Sequence, residues 1–386
     1  MLLRKVEPLG RPEGRETGRL MTMQKVPQQL LYLVYGDKEV YRHEAKFSIL
    51  TALDQSKSAE PLVIRVMTDR PEDYRGWPVQ VVPLSPQTLI EWQGDQGYYH
   101  RRKACAFAAG LELADKTLFV DTDTLIEVDP QRLFERIAPG QYLVDEDEFL
   151  WSEVRTRPEF AKLERYLRAS GQSVPDEQRL FNSGVCGLTA GDGPLMQTSI
   201  ALIDEWSTHI KDLHTLEQIA LSFALGDRPV AESKNCIYHY FSDKAFFHAM
   251  QALFFQRHGE AFRPELLRLQ REVPRRKPVP SLFQRSRIKF YLKRQDKDMQ
   301  KVGRDLLYGG SCAVSPYIDA CRHVWWDQGL RQIQRRGMSQ EASIRALAHG
   351  EWPSGWPRPR NREVEKRMRR YLQQHLQAHE TAPGAK

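Results

Sequence analysis

The chain has 386 residues, of which 41% are hydrophobic and 10% aromatic, and its formal net charge is +7. This length and composition fit a globular protein with one large or two ordinary domains, and no apolar run approaches the ~18 residues that a membrane span requires. The 5 cysteines are scattered without a CxxC pair, which argues against a disulfide framework or zinc knuckle and predicts a cytoplasmic protein.

Strand and helix patterns alternate through the first two thirds of the chain. Residues 1–26 are polar and predict a flexible leader. Strands are predicted at 30–35, 62–67, 79–82, 117–120, 141–144 and 236–240, and helices at 40–53, 98–113, 194–211 and 216–225. Residues 181–188 read as a loop that enters a strand. This alternation predicts an α/β domain over residues 27–250, with helices on both faces of a sheet.

The C-terminal third has a different character. Residues 251–280 are predicted to be a basic, proline-rich linker, 281–378 a helical region with helices at 281–308, 317–336, 339–347 and 362–377, and 379–386 a disordered tail. Residues 263–304 hold fourteen Lys or Arg and four Asp or Glu, so their balance is +10 and the rest of the chain carries 7 − 10 = −3. The sequence therefore predicts one basic surface and no specific nucleic-acid partner.

The most informative segment is residues 117–125, TLFVDTDTL. An apolar run, typical of a buried parallel strand, ends in Asp121 and Asp123. Ligands of open α/β sheets bind at the carboxyl ends of strands. Two carboxylates repel each other there unless a cation lies between them, and a divalent cation shared with substrate phosphates is the usual solution. The alternative is a strand followed by an ordinary polar turn.

Four features occur together in order: an early strand, turn and helix, the aspartate pair, the sequence FNSGV at 181–185, and His239 near Lys244. The combination resembles glycosyltransferases with the GT-A fold, most closely the glycogenin and lipopolysaccharide galactosyltransferase group (family 8), over residues 30–250. The resemblance implies an α/β, Rossmann-like nucleotide-diphospho-sugar transferase domain with a helical C-terminal extension.

The resemblance also implies roles for individual residues. Mn²⁺ or Mg²⁺ would be held by Asp121, Asp123 and His239. The nucleotide sugar would contact Asp37, Tyr41, Asp69, Arg102, Lys103, Asp121, Thr122, Gly184 and Lys244. Tyr41 would stack on the base, although it also suits a half-buried helix position. Lys103 is preferred over Arg102 as the residue near the diphosphate, and Gly184 is expected in a tight turn. The catalytic group would be Asn182, Glu217 and Gln218.

This sequence departs from the family pattern at two of these places. The family's glycine before the phosphate-binding lysine is missing in front of Lys244. The pair Glu217–Gln218 stands where the family has Asp-Gln-Asp, and Glu217 also suits an ordinary helix start. The implied activity is transfer of a sugar from a UDP-hexose to a saccharide or lipid-linked acceptor, as in polysaccharide biosynthesis. Retention needs no strong protein nucleophile, whereas inversion needs a base such as Glu217, so the stereochemistry stays open.

Two other functions fit parts of the sequence. The motif DTDTL also matches haloacid-dehalogenase-like phosphotransferases, in which Asp121 would be the nucleophile. That motif usually lies on the first strand of its fold, and the sequence offers acids at 145–148 but no convincing lysine. The third possibility is a non-catalytic sugar-nucleotide-binding protein.

The basic region also suggests a partner. Apolar residues at 282–283, 288 and 290–292 interleave with five Lys or Arg residues between Arg285 and Arg294. Such a mixture suits a helix in peripheral contact with an anionic membrane, on its inner face. The alternative is that these apolar residues pack on the catalytic domain while the charges face water.

Overall fold

The computed structural model describes residues 23–58, 61–336, 341–352, 356, 358–359 and 361–380. The chain divides into two compact units: Met1–Tyr240 with Glu260–Gln270, and Phe241–Gly259 with Arg271–Lys386. The boundaries proposed from the sequence stay a prediction. Most of the predicted leader and residues 381–386 of the predicted tail lie outside the described residues.

The strands, in chain order, are β1 (Val26–Val34), β2 (Ile64–Thr68), β3 (Gln80–Pro83), β4 (Ala114–Val120), β5 (Thr124–Ile126), β6 (Tyr142–Leu150), β7 (Arg179–Thr189), β8 (Val230–Glu232) and β9 (Ile237–His239). Seven of them form one sheet in the order β3-β2-β1-β4-β7-β6-β8, and β5 pairs with β9. Within the larger sheet, β7 is antiparallel to both neighbours and the other pairs are parallel.

The helices are α1 (Glu39–Gln55), α2 (Pro86–Gln93), α3 (Arg101–Leu111), α4 (Gln131–Phe134), α5 (Trp151–Val154), α6 (Ala161–Ala169), α7 (Gly193–His209), α8 (Leu216–Leu225), α9 (Lys244–His258), α10 (Glu265–Leu269), α11 (Leu282–Leu292), α12 (Lys297–Ser311), α13 (Pro316–Arg336), α14 (Glu341–His349) and α15 (Arg362–Glu380). Within the described part of the chain, no helix combines the length and apolarity needed to cross a lipid bilayer.

Alternate side chains of a strand point to opposite faces of the sheet, and helices pack on both of these faces. Leu31 of β1 lies in the core formed with residues of α3, α7 and α8. The next residue, Tyr32, is also fully buried, and its hydroxyl hydrogen-bonds with Ser48 of α1 (2.9 Å). The predicted α/β class is confirmed.

Two strand pairings bring distant segments to one edge. Val120 at the end of β4 pairs with Val185 of β7, so the antiparallel β7 places its early residues beside the carboxyl end of β4. Thr124 of β5 pairs with His239 of β9. The segments around residues 121, 183 and 239 therefore meet although they are far apart in sequence.

Several local predictions need correction. Residues 181–188 are not a loop, because β7 already begins at Arg179. Helices α9 and α10 occupy part of the segment predicted as a linker. The predicted helix 281–308 is two helices, since the Asp296 side chain caps α12 by accepting from the amides of Asp298 and Met299. Helix α15 runs to Glu380, into the predicted tail.

Candidate active site

Two carboxylates and an imidazole converge after β4. Asp121, Asp123 and His239 each offer one ligand atom, and these atoms all lie within 4.8 Å of one another. His239 Nε2 is 3.3 Å from Asp123 Oδ2. Asp123 is almost fully buried, whereas the Asp121 side chain keeps 30% of its surface exposed. The group is thus anchored at its base and open on one side.

A further carboxylate orients the histidine. His239 Nδ1 lies 2.7 Å from Asp145 Oδ2, and the Ser233 hydroxyl donates to Asp145 Oδ1 at 2.9 Å. Burial lowers the pKa of His239, but hydrogen bonds to Asp123 and Asp145 outweigh this effect and raise the pKa to about 10. A carboxylate only accepts, so the contact with Asp145 keeps a proton on Nδ1 and leaves Nε2 as the atom that a metal would take by displacing its proton.

Gly184 leaves room for this imidazole. A Cβ atom at position 184 would lie 2.1 Å from His239 Cε1 and 2.3 Å from Nδ1. The residue is buried inside β7, so its predicted place in a tight turn is wrong. Only glycine allows the imidazole to pack against the strand at this distance.

Lys103 of α3 connects the aspartates to the catalytic group predicted from the sequence. Its Nζ donates to Asp121 Oδ2 at 2.9 Å and to the Ser183 hydroxyl at 3.1 Å, and it lies 3.3 Å from Glu217 Oε1. Burial lowers the pKa of Lys103, but Asp121 and Glu217 outweigh it and raise the pKa above its ordinary value. The lysine is therefore charged and shared between two carboxylates.

Asn182, Glu217 and Gln218 lie beside this lysine and are joined by hydrogen bonds. Glu148 accepts from the amide groups of Asn182 (2.9 Å) and Gln218 (3.0 Å), one on each oxygen. The Asn182 carbonyl oxygen accepts from the Gly184 amide at 2.9 Å. Glu217 accepts from the Ser183 hydroxyl at 2.6 Å. All three predicted residues are thus held in fixed orientations.

The remaining predicted residues lie around the ends of β1, β2 and β4. Both oxygens of Asp69 accept from the Gly36 amide (3.1 and 3.3 Å), which ties the turn after β1 to the end of β2. Asp37 in that turn is exposed, and Tyr41 keeps 40% of its surface exposed. The Thr122 hydroxyl donates to the buried Glu44 (2.8 Å).

The two basic candidates of α3 differ in their contacts. Arg102 donates to the Leu89 carbonyl at 2.8 Å, and its guanidinium lies over the rings of Tyr35 and Tyr99 at 4.8 and 5.4 Å. Lys103, by contrast, donates to Asp121 at 2.9 Å. Lys244 is the first residue of α9, which belongs to the second unit, and its role stays a prediction.

Sequence reasoning did not assign Asp145, Glu148 or Ser183 to this site. The available signal was the acidic run at 145–148, which the sequence connects only with the phosphotransferase alternative. The run lies on β6, and irregular pairing with β7 occurs between 144 and 146 and between 147 and 149. These irregularities break the simple alternation of side chains, so the sequence does not show toward which face of the sheet each acid points.

A second group of acids and histidine lies near the start of α1: Glu39, His43 and Glu260. Arg42 Nε donates to Glu260 at 2.7 Å, and Lys46 Nζ donates to the same carboxylate at 2.8 Å. Burial raises the pKa of Glu260, but these two bonds outweigh it and lower the pKa well below its usual value. The cations already neutralise Glu260, so we assign this group to ion pairing.

No protein-family model matches the chain, and no curated protein matches it. Solved structures do. Mouse xyloside xylosyltransferase 1 is similar at 13% identity and a TM-score of 0.37, over 53% of this chain and 84% of that one. The galactosyltransferase LgtC, in complex with donor and acceptor sugar analogues, is similar at 13% identity and a TM-score of 0.40, over 63% and 99%. The bifunctional glycosyltransferase WbbM is similar at 13% identity and a TM-score of 0.34, over 50% and 37%.

All three are glycosyltransferases, which is the class that the sequence motifs resemble.

Proposed function

We propose that this chain is a metal-dependent glycosyltransferase that moves a sugar from a nucleotide-sugar donor, a UDP-hexose, to a saccharide or lipid-linked acceptor. The observation that carries the proposal is the convergence of Asp121, Asp123 and His239 within 4.8 Å. Lys103 and Ser183 connect this group to Glu217 by hydrogen bonds and an ion pair, and the amides of Asn182 and Gln218 lie beside Glu217.

The residues suit Mn²⁺ or Mg²⁺. Carboxylate oxygens are the ligands that both ions prefer, and an imidazole nitrogen is accepted by the softer Mn²⁺. Burial raises the pKa of Asp121, Lys103 opposes that rise, and the nearby Asp123 adds to it. A divalent cation held by Asp121, Asp123 and His239 would relieve this strain and would neutralise the charge that gathers on a departing nucleoside diphosphate.

The protein groups around the cation site have distinct tasks in this proposal. Lys103 fixes the Asp121 carboxylate and brings a positive charge to the site. Glu148 holds the amides of Asn182 and Gln218 by one N–H each, so that the second N–H of each amide can orient the hydroxyl groups of the transferred sugar. Fixed groups of this kind stabilise developing charge without reorganisation.

We propose that the reaction retains anomeric configuration. An inverting enzyme needs a free carboxylate base near the acceptor hydroxyl. Glu217 is a poor candidate because its carboxylate already accepts from Ser183 and pairs with Lys103.

The test is release of UDP from a panel of UDP-hexoses with and without MnCl₂, followed by NMR of the anomeric product. Wild type should turn over one donor in a metal-dependent manner, and Asp123→Asn should not. Glu146→Gln is the control, because it removes an exposed carboxylate of the β6 acidic run that pairs with Lys234 at the surface.

Other outcomes would support other functions. Stabilisation by Mn²⁺ with UDP, worth ~2.7 kcal/mol at a hundredfold excess over Kd, without turnover of any donor would favour a binding protein. Hydrolysis of a generic phosphate ester that Asp121→Asn abolishes would favour the phosphotransferase.

A further inference from the structure

Helix α11 in the second unit presents large apolar side chains to solvent. Leu282, Phe283 and Phe290 are 74%, 69% and 71% exposed, whereas Ile288 and Leu292 are buried. Phe283 and Phe290 are separated by two helical turns and so lie on one side. Ile288 and Leu292, one turn apart, lie on the opposite side.

Basic residues surround the exposed phenylalanines. Arg287 follows Phe283 by one helical turn and is therefore its neighbour on the helix surface, and its guanidinium lies 5.9 Å from the centroid of the Tyr291 ring. Lys293 and Arg294 directly follow the last residue of the helix, and both are exposed. We call Leu282, Phe283, Arg287, Phe290, Lys293 and Arg294 the outer face of α11.

The charge of this segment has one sign. Residues 273–295 contain eight Lys or Arg and no Asp or Glu. Lys277 is paired with Asp243 at 3.0 Å, but the basic residues of the outer face have no acidic neighbour within the segment. The outer face therefore combines exposed apolar rings, which mark an interaction surface, with concentrated positive charge.

From this we infer that the outer face of α11 docks on an anionic lipid surface. A helix with apolar rings and basic residues on one face lies in the interfacial plane, with the rings at the acyl boundary and the cations among the headgroups. Charge complementarity selects an anionic surface over a neutral one. This inference does not rest on the proposed function.

The structure also addresses the alternative raised from the sequence. Packing of the apolar residues explains Ile288 and Leu292, which are buried. Packing does not account for Leu282, Phe283 and Phe290, because their side chains are exposed. The helix therefore has one face for the fold and another for a partner.

The test is co-sedimentation of the full chain with vesicles of phosphatidylcholine alone or of phosphatidylcholine with phosphatidylglycerol, at low and at physiological salt. We expect binding to the anionic vesicles only, weaker at the higher salt. Phe283→Ser with Phe290→Ser should weaken binding about tenfold or more per ring. Arg287→Gln with Arg294→Gln should weaken it about fivefold per charge.

Matched controls distinguish binding by the outer face of α11 from nonspecific adsorption to vesicles. Val314→Ser removes an apolar side chain that is 64% exposed between α12 and α13. Lys366→Gln with Arg367→Gln removes two charges from the exposed surface of α15. Both controls should bind like wild type, and all variants should keep the wild-type melting temperature, because every changed position is exposed except the half-buried Arg287.

Three outcomes would overturn the inference. One is no pelleting above a vesicle-free blank. Another is equal binding of wild type and both α11 double variants. The third is tight, salt-sensitive binding to nucleic acid without any binding to vesicles, which would assign the basic face to that class of partner.

Discussion

Gly184→Ala tests whether the position of His239 is fixed by its surroundings. The added Cβ would lie 2.1 Å from His239 Cε1. The imidazole cannot move aside freely, because Nδ1 is bound to Asp145 at 2.7 Å and Nε2 lies 3.3 Å from Asp123. The overlap must therefore be relieved by shifting β7 or by breaking the contact with Asp145.

The expected cost follows from these two routes. Overpacking of a buried site costs about 1–3 kcal/mol, and loss of a hydrogen bond to a charged group costs about 1.5–3 kcal/mol. We expect Gly184→Ala to lower the free energy of unfolding by about 3 kcal/mol. Displacing a metal ligand or its hydrogen-bond partner typically weakens metal binding by about 10–100-fold, and we expect a loss of Mn²⁺ affinity in that range.

The assay is urea unfolding of the metal-free protein together with calorimetric titration of Mn²⁺, and two glycines serve as controls. Gly187→Ala, on the same strand, would place a Cβ 2.4 Å from Ile137 Cδ1, so it should destabilise the fold while leaving Mn²⁺ affinity unchanged. Gly193→Ala meets nothing within 4 Å at the start of α7 and should be neutral. If Gly184→Ala matches Gly193→Ala in both measurements, the imidazole is not fixed as described.

Three further predictions concern the acids. Asp121→Asn and Asp123→Asn should each remove most turnover, and Asp121→Asn should also raise the melting temperature of the metal-free protein, because burial and the nearby Asp123 raise the pKa of Asp121; unchanged turnover at saturating Mn²⁺ would disprove the role. Asp145→Asn should weaken Mn²⁺ binding about 10–100-fold and lower the melting temperature of the metal-free protein, because the buried imidazole loses a charged partner, and wild-type affinity in calorimetry would count against an orienting role. Glu260→Gln should lower the free energy of unfolding by about 2 kcal/mol at pH 7. Its folded pKa is depressed, so the contribution is present above the unfolded pKa of about 4.3 and fades as pH falls below it; a deficit unchanged in acid would contradict this.

The sequence alone determined the α/β class of the fold, and it singled out Asp121, Asp123 and His239, whose side chains the structure brings within 4.8 Å of one another. The apolar run before Asp121 is long enough to specify a buried strand, and the polar residues that follow it place the two acids at the carboxyl edge of the sheet. Period-2 and helical patterns depend only on neighbours a few residues apart, so they can be read locally. The distance to Asp121 favours Lys103 over Arg102, and in the structure Lys103 Nζ lies 2.9 Å from Asp121 Oδ2.

Only the tertiary structure decided how the site is held together. The antiparallel course of β7 and its irregular pairing with β6 place Asp145 against His239 and Glu148 against Asn182, and neither feature is encoded by local periodicity. Gly184 illustrates the difference: its sequence context suggested a turn, but its reason is the imidazole of a residue fifty-five positions later, 239 − 184 = 55. Whether α11 would bury or expose its phenylalanines was equally undecided, because an amphipathic pattern does not say which of two apolar sides meets the core.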